Sequence, residues 1–283
     1  MKKMISILCI AALCLLCLAG SAAAELIEFS ESPVADMVSI GDTAYIRTQR
    51  AGIHTLKPGD TTLTLYAEGY DSPRYTGLFA ADGVLYTLDR ETYCFAGIGE
   101  NGRGAPLDGL EIPDFKKTTH IKGDWWVHCM RNTPSGLFWL MYLGATSEKM
   151  TLCRFDPSSR RLSCRTIPRL YDYCVGDDGV IRVVQQIDRV FVLSVLDWRS
   201  GKLEKTADLP WGATGMVRQG DDLILNVKRG QIIRCRPDGT IEPVMQMPIR
   251  QNNHINCLLL DGNVLLCAEV NHLAYQEIPE ARQ

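Results

Sequence analysis

Residues 178–210 read DGVIRVVQQIDRVFVLSVLDWRSGKLEKTADLP and contain three β-rich runs separated by polar turns. The runs alternate branched apolar residues with polar ones, which is the pattern of half-buried strands, and no 3.6-residue period is sustained. The stretch from Gly136 to Pro168 aligns with the stretch from Gly179 to Pro210, and the two differ in length by one residue. The chain therefore contains a repeated all-β unit.

Tight-turn dipeptides extend this repeat in both directions. They have spacings of 41, 96, 42 and 41 residues, and they occur at Gly41-Asp42, Asp82-Gly83, Asp178-Gly179, Gly220-Asp221 and Asp261-Gly262. The long gap must hold one more unit, whose turn is either Gly123-Asp124 or Ser135-Gly136. We prefer Ser135-Gly136 because the sequence after it aligns with the next unit. This choice leaves extra residues around Asp114 to Asp124.

Each unit reads as four short strands in about 41–43 residues, which is typical of β-propeller blades. A single blade cannot bury both of its faces. Radial packing covers those faces, and ring closure protects the sheet edges. The sequence predicts an all-β, six-bladed β-propeller of four-stranded antiparallel blades without helices, and a two-layer sandwich is the alternative.

The last unit lacks residues for a fourth strand, because only 21 residues follow Asp261-Gly262. Leu26 to Phe29, near the other end of the chain, form a β-rich run without a unit of their own. We therefore predict that this N-terminal strand pairs with the last unit and closes the ring. The alternative is an open ring.

One unit resembles a known type of repeat. Leu196-Asp197-Trp198-Arg199-Ser200-Gly201-Lys202-Leu203 is similar to the strand-turn-strand element of quinoprotein-type and related propeller repeats of secreted bacterial proteins. The other units depart from this element, and the tryptophan that quinoprotein repeats place after Gly-Lys is absent. The resemblance implies the fold and transfers no function.

The first 24 residues have the pattern of a signal peptide. Lys2 and Lys3 precede an apolar run from Ile5 to Leu18, and small residues at positions 22–24 suit cleavage after Ala24. The apolar run is short for a bilayer span. The sequence therefore predicts a secreted or extracytoplasmic chain in which residues 25–283 form one propeller domain without a membrane span. The formal net charge of −3 and the lack of a basic run argue against a nucleic-acid partner.

Eight cysteines follow the signal segment, an even number that permits disulfides in an exported chain. A hairpin centred on Ser158-Ser159 would place Cys153 directly opposite Cys164. We predict that these two residues are adjacent, whether or not they are bonded.

The catalytic and metal-binding patterns are weak. The five histidines lack helical i, i+4 spacing, although His120 and His254 could face a central channel. Asp71 and Asp172 occupy comparable positions between blades, and we interpret them as solvated loop acids rather than a glycosidase pair. Trp125-Trp126 is interpreted as core. No catalytic residue, cofactor or metal site is predicted.

One face of the propeller carries the candidate ligand-binding residues. Connections from the second to the third strand and from blade to blade emerge on the same side, and every unit has a basic residue in or beside the former. Guanidinium groups suit planar anions, and aromatic rings suit sugar faces. The predicted ligand-binding residues are Arg50, Arg90, Lys116, Lys117, His120, Tyr171, Arg189, Trp211, Arg229, Asn253 and His254.

These patterns favour a non-catalytic binding or scaffold propeller for an unknown extracellular ligand or protein, with an acidic glycan as the hypothesis. Two alternatives stay open. One is an extracellular polysaccharide lyase or hydrolase, and the other is an accessory module of an exported transport or envelope assembly. The fold alone does not separate them, because function is carried by sites on a fold.

Overall fold

The structure is a computed structural model that describes residues 25–28, 33–70, 74–99, 106–121, 123–143, 149–227, 230–248, 256–260, 262–269 and 272–280. Its strands form six four-stranded antiparallel sheets, which are the blades of a ring. The predicted six-bladed β-propeller is confirmed.

The first three blades are built from consecutive strands. Blade 1 comprises β2 (Val34–Ile40), β3 (Thr43–Thr48), β4 (Ile53–Leu56) and β5 (Thr64–Ala67). Blade 2 comprises β6 (Tyr75–Ala81), β7 (Val84–Asp89), β8 (Cys94–Ile98) and β9 (Pro106–Glu111). Blade 3 comprises β10 (Trp125–Thr133), β11 (Gly136–Leu143), β12 (Lys149–Asp156) and β13 (Arg161–Pro168). Thr133 pairs with Gly136, so the turn at Ser135-Gly136 is the correct one.

The last three blades complete the ring. Blade 4 comprises β14 (Leu170–Val175), β15 (Ile181–Ile187), β16 (Val190–Leu196) and β17 (Leu203–Leu209). Blade 5 comprises β18 (Met216–Gln219), β19 (Asp222–Val227), β20 (Gln231–Cys235) and β21 (Ile241–Gln246). Blade 6 comprises β22 (Asn256–Leu260), β23 (Val264–Glu269), β24 (His272–Glu277) and, as its outer strand, β1 (Glu25–Glu28).

The pairing of β1 with β24 confirms the predicted closure. The register places Glu25 opposite Tyr275 and Glu28 opposite His272. Ile27 points into an apolar cluster that joins blade 6 to Met37 and Ile46 of blade 1. The first strand of the chain therefore completes the last blade and packs it against the first.

The extra residues before β10 contain one short helix, α1 (Phe115–Thr119), which differs from the expectation of no helices. The sequence around it has too few turns to show a helical period. Phe115 is buried and packs against Trp125 and Tyr93, with ring centroids 5.1 Å away in both cases. Tertiary packing of one aromatic residue thus holds this helix on blades 2 and 3.

The antiparallel order divides the loops between two faces. We call the face with the second-to-third strand connections and the blade-to-blade connections the link face. The opposite face carries the first-to-second and third-to-fourth strand turns, and we call it the hairpin face. Because every blade repeats the same strand order, each residue in a connection can be assigned to one face.

The core lies between the blades. Apolar residues along β11 are buried on both sides of the strand, from Leu137 to Tyr142. Trp125 belongs to this core, but Trp126 is 42% exposed, so only one of the pair is core as expected. Cys153 pairs with Cys164 as predicted, and their Sγ atoms are 2.9 Å apart as free thiols.

Candidate functional site

Two buried aspartates link the innermost strands around the channel. Asp36 accepts hydrogen bonds from the backbone N–H groups of Met37 (3.0 Å) and Leu78 (3.1 Å), so it connects blade 1 to blade 2. Asp172 accepts from Tyr173 (2.7 Å) and Gly215 (3.0 Å) and connects blade 4 to blade 5 in the same way. Both aspartates follow a β-bulge, which re-aims the side chain.

Two side chains from β10 reach across the channel. His128 Nδ1 lies 3.1 Å from the carbonyl oxygen of Ala35. A carbonyl only accepts, so Nδ1 carries the proton in this contact. Arg131 donates to the carbonyl oxygen of Met216 at 2.6 Å. The first contact joins blade 3 to blade 1, and the second joins blade 3 to blade 5. Both therefore link blades that are not neighbours in the ring.

The channel contains a cavity of about 260 Å³ beside these groups, and Asp36, Cys129, Arg131 and Asp172 line it. Burial raises the pKa of the Asp172 carboxyl above its ordinary value, although the nearby Arg131 opposes this effect. Burial likewise raises the pKa of Asp36 against His128 and Arg47. Our interpretation of Asp172 as a solvated loop acid was wrong, because a bulge turns it inward. Asp71 lies outside the described residues.

These acids are already engaged. Each of the four carboxylate oxygens of Asp36 and Asp172 accepts a backbone N–H, so none is without a hydrogen-bond donor. Within the described ranges, no three His, Cys, Asp or Glu side chains gather in a group that could hold a metal ion. The polar side chains of the channel therefore hold the blades together.

Two of the sequence-predicted binding residues meet at an aromatic cluster on the link face. The guanidinium of Arg90 lies 5.2 Å from the ring centroid of Trp125, and the ammonium of Lys116 lies 5.1 Å from that of Tyr93. Arg90 is also 4.0 Å from the carboxylate of Asp124. Both cations therefore interact with the surface that anchors α1, and cation–π contacts of this kind contribute about 0.5–1 kcal/mol at exposed sites.

The other predicted residues are dispersed. Arg50 is exposed in the connection from β3 to β4, and Lys117 and His120 are exposed on and after α1. His120 adopts a left-handed conformation with φ 54° at the end of this helix. Arg229, Asn253 and His254 lie outside the described residues.

The link-face end of blade 4 brings the remaining three together. Tyr171 packs edge-on against Phe191, with ring centroids 5.0 Å apart. Gly212, which follows Trp211, lies so close to the Phe191 ring that an added Cβ would be 2.8 Å from it. Arg189 is in the turn that leads to Phe191 and is exposed.

Apolar side chains surround this group. Ile187, Val190 and Trp211 are 45%, 46% and 48% exposed. They account for three of the seven exposed large hydrophobic residues among those described, and all three lie at the same end of blade 4. We call Arg169, Tyr171, Ile187, Arg189, Val190 and Trp211 the blade-4 patch.

Sequence reasoning missed Arg169, Ile187 and Val190. Arg169 is the single residue between β13 and β14, and its carbonyl accepts a hydrogen bond from Gln186 N–H at 3.1 Å, which places it beside the patch. Ile187 and Val190 read as ordinary strand residues. A signal was present, because both flank a two-residue turn and so must lie at a strand end.

No protein-family model matches the sequence, and no curated protein matches it. Solved structures do match the fold. The chain is similar to regucalcin from Agrobacterium tumefaciens, described as calcium-binding, with 15% identity, a TM-score of 0.63, and 93% of this chain and 96% of that one covered.

Two further structures show the same architecture. One is a gluconolactonase-like protein with 15% identity, a TM-score of 0.59, and 91% of this chain and 93% of that one covered. The other is the WD40 β-propeller domain of Doa1 with 11% identity, a TM-score of 0.59, and coverage of 93% and 98%. Similarity at this level establishes the propeller fold. Three differently named proteins on one fold also illustrate why the fold does not define the ligand.

Among the residues that the structure describes, no helix is long and apolar enough to cross a bilayer.

Proposed function

We propose that this protein is a non-catalytic binding propeller that holds an acidic glycan on the link face, with the blade-4 patch as the principal contact surface. The observation that carries the proposal is the exposure of two arginines and a tryptophan at one end of one blade. The partner ligand is extracellular, because residues 1–24 have the pattern of a signal peptide ahead of a single propeller domain at residues 25–283.

The chemistry of the patch suits such a ligand. Within the described part of the chain, Arg169 and Arg189 form no ion pair and donate no side-chain hydrogen bond. Their guanidinium groups are thus available to carboxylates, which they bind in a bidentate manner. The exposed indole of Trp211 offers an apolar face for a sugar ring. Arg50, Lys117 and His120 add positive or titratable groups on the same face.

The test is binding of polygalacturonate, with dextran as the neutral polysaccharide. We expect the protein to bind polygalacturonate at low salt and to lose affinity as salt increases, because surface charge interactions are screened. Trp211→Ala and the double variant Arg169→Ala/Arg189→Ala should each weaken binding about tenfold, equivalent to about 1.4 kcal/mol.

Lys57→Ala is the matched control, because Lys57 is an exposed cation in a hairpin-face turn. It removes one positive charge from the opposite face and should leave the affinity unchanged. Absence of any saturable binding to polygalacturonate at low salt would overturn the proposal. An equal loss in the Lys57→Ala variant would show that only net charge matters.

A second candidate function is a polysaccharide lyase or hydrolase, and the channel cavity is the observation that favours it. Buried carboxyls with raised pKa values beside a cavity are a recognised feature of catalytic sites. Product release from acidic polysaccharides, abolished by Asp172→Asn in a protein that still binds them, would favour the enzyme. Binding without turnover would favour the scaffold or an accessory role in an envelope assembly.

A further inference from the structure

A second charged surface lies between blades 3 and 4 on the hairpin face, on the opposite side of the ring from the blade-4 patch. It is a groove of about 390 Å³, within the size range of small-molecule sites. Four arginines, one acid and a tryptophan dominate its lining: Arg154, Asp156, Arg161, Arg165, Trp198 and Arg199. None of them belongs to the link-face surface described above.

The strand register explains why the arginines converge. Arg154 pairs with Ser163 and Asp156 pairs with Arg161, and directly paired residues share a face of the sheet. Alternate residues of β13 also share a face, so Arg161, Ser163 and Arg165 all point toward blade 4. Leu162 faces the other way, into the core with blade 2. The turn between β16 and β17 supplies Arg199.

Two of the guanidinium groups are held in place by backbone carbonyls. Arg165 donates from Nε and Nη2 to the carbonyl oxygen of Trp198 at 3.1 and 2.9 Å, and from Nη2 to that of Arg199 at 2.7 Å. Arg154 donates from the same two nitrogens to the carbonyl oxygen of Ser135 at 2.9 and 2.6 Å. The Nη1 hydrogens of both groups are left for a ligand, and their orientation is set before it binds.

The positive charge of the groove is only partly neutralised locally. Among the described residues, none of the four arginines has a carboxylate oxygen within ion-pair distance. The oxygens of Asp156 accept from the N–H groups of Ser158 and Ser159 and from the Ser159 hydroxyl. Asp197 is likewise engaged by Arg199 N–H and the Ser200 hydroxyl. Four cations thus face two nearby acids, and each acid is bound within its own turn.

Neighbouring guanidinium groups repel one another, and an anion between them removes that repulsion. Donors that approach from two strands of blade 3 and from one turn of blade 4 suit a group with three acceptor oxygens better than a planar carboxylate. The half-buried indole of Trp198, which packs edge-on against Phe138 at 5.7 Å, adds an apolar wall for the rest of a ligand. We infer that this groove binds a small ligand through a phosphoryl or sulfuryl group.

The experiment is isothermal titration of the protein with inorganic phosphate, sulfate and glucose 1-phosphate in low-salt buffer that contains no other oxyanion. We expect saturable binding that weakens with added chloride. Similar affinities for all three probes would identify the free oxyanion as the ligand. Tighter binding of glucose 1-phosphate would identify an ester whose organic part contacts Trp198.

The decisive variant is Arg161→Ala/Arg199→Ala, because both side chains are exposed and support no described hydrogen bond, so the fold should be retained. It should weaken binding of the probes about tenfold or more. Arg160→Ala is the matched control, since Arg160 is the exposed neighbour outside the groove. It should change affinity less than twofold.

No saturable binding by the unmodified protein, or equal losses in the double variant and in Arg160→Ala, would overturn the inference. The result is independent of glycan binding on the link face. Variants of Arg189 and Trp211 should leave phosphate binding unchanged, and Arg161→Ala/Arg199→Ala should leave polygalacturonate binding unchanged.

Discussion

Asp172 holds two blades together through hydrogen bonds and also has a perturbed pKa. Its two oxygens accept main-chain N–H groups from blades 4 and 5, yet its burial raises the pKa of the carboxyl above the ordinary value. The folded state therefore binds more protons than the unfolded state between the ordinary and the raised pKa. Stability from this group is greatest at low pH and falls as pH rises through that interval.

We predict that Asp172→Asn removes this pH dependence. The variant should be destabilised by about 1–3 kcal/mol, because the Asn amide cannot accept from both N–H groups. The advantage of the unmodified protein should shrink as pH rises from about 4, where a free Asp loses its proton. Urea unfolding at several pH values measures the difference. A difference that stays constant or grows with pH would contradict the prediction, and Asp36, present in both proteins, contributes equally.

At the scale of the element, the β12–β13 hairpin holds two thiols in register. Cys153 and Cys164 are directly paired, and burial raises the pKa of the Cys153 thiol well above its ordinary value. The reactive thiolate is therefore scarce at neutral pH. Oxidation of this pair should be slow at pH 7 and faster in alkaline solution.

We predict that a mild oxidant joins Cys153 to Cys164 selectively. Closing this short loop should stabilise the fold by at most about 3 kcal/mol, with strain reducing the gain. Peptide mapping under non-reducing conditions identifies the bond. Cys174 and Cys235 are buried in other blades and are not paired with a cysteine, so they are internal controls that should stay reduced. Oxidation of these residues at the same rate would contradict the role of the paired register.

The turn between β15 and β16 yields a prediction that separates stability from binding. Asp188 and Arg189 both have positive φ (48° and 69°), as in a two-residue type I′ turn, where glycine is favoured at the second position. Arg189→Gly should therefore stabilise the protein by about 0.5–1 kcal/mol. The same change should weaken glycan binding, because the guanidinium is lost.

The matched control for this variant is Arg50→Gly. Arg50 lies in a corresponding connection of blade 1 but is not among the residues with positive φ. Glycine there should not stabilise the protein, since it only adds freedom to the unfolded chain. Thermal unfolding of both variants measures the effect. Equal shifts in the two would show that the left-handed backbone of Arg189 costs nothing.

At the scale of the whole molecule, β1 is the strand on which closure depends. Ile27 is 4% exposed within the cluster that joins blades 6 and 1, whereas its neighbour Leu26 is 44% exposed. Ile27→Ala should destabilise the protein by about 2–4 kcal/mol, because it removes buried methyl groups at the closure.

Leu26→Ala serves as the control in the same strand and should change the free energy of unfolding by less than about 0.5 kcal/mol. Denaturant unfolding monitored by tryptophan fluorescence compares the two. If both variants have the same stability as the unmodified protein, β1 does not hold the ring closed in solution.

The ring could be predicted because its signals are local. Turn dipeptides and alternating strands repeat in every unit, and the shortage of residues after Asp261-Gly262 indicates which strand is missing. The channel could not be predicted in the same way. A bulge between Leu170 and Asp172 changes the side on which the following residues point, and a regular alternation does not reveal it.

The surfaces were only partly predictable for a related reason. Arg189, Tyr171 and Trp211 could be assigned to the link face from strand order, but the packing of Tyr171 and Gly212 against Phe191 could not. The groove of Arg161 and Arg199 joins turns of two blades. No spacing within one blade encodes that contact, because it arises from the angle at which blades pack.

Pairing between β1 and β24 also determines how the ring would respond to mechanical force. Glu25 is paired with Tyr275, so the start of β1 and the end of β24 lie side by side. Tension applied between these two points would break the backbone hydrogen bonds between β1 and β24 one pair after another. A two-point optical trap should therefore open the last blade at low force. If only one of these two points were held, no tension would act on the pairing of β1 with β24.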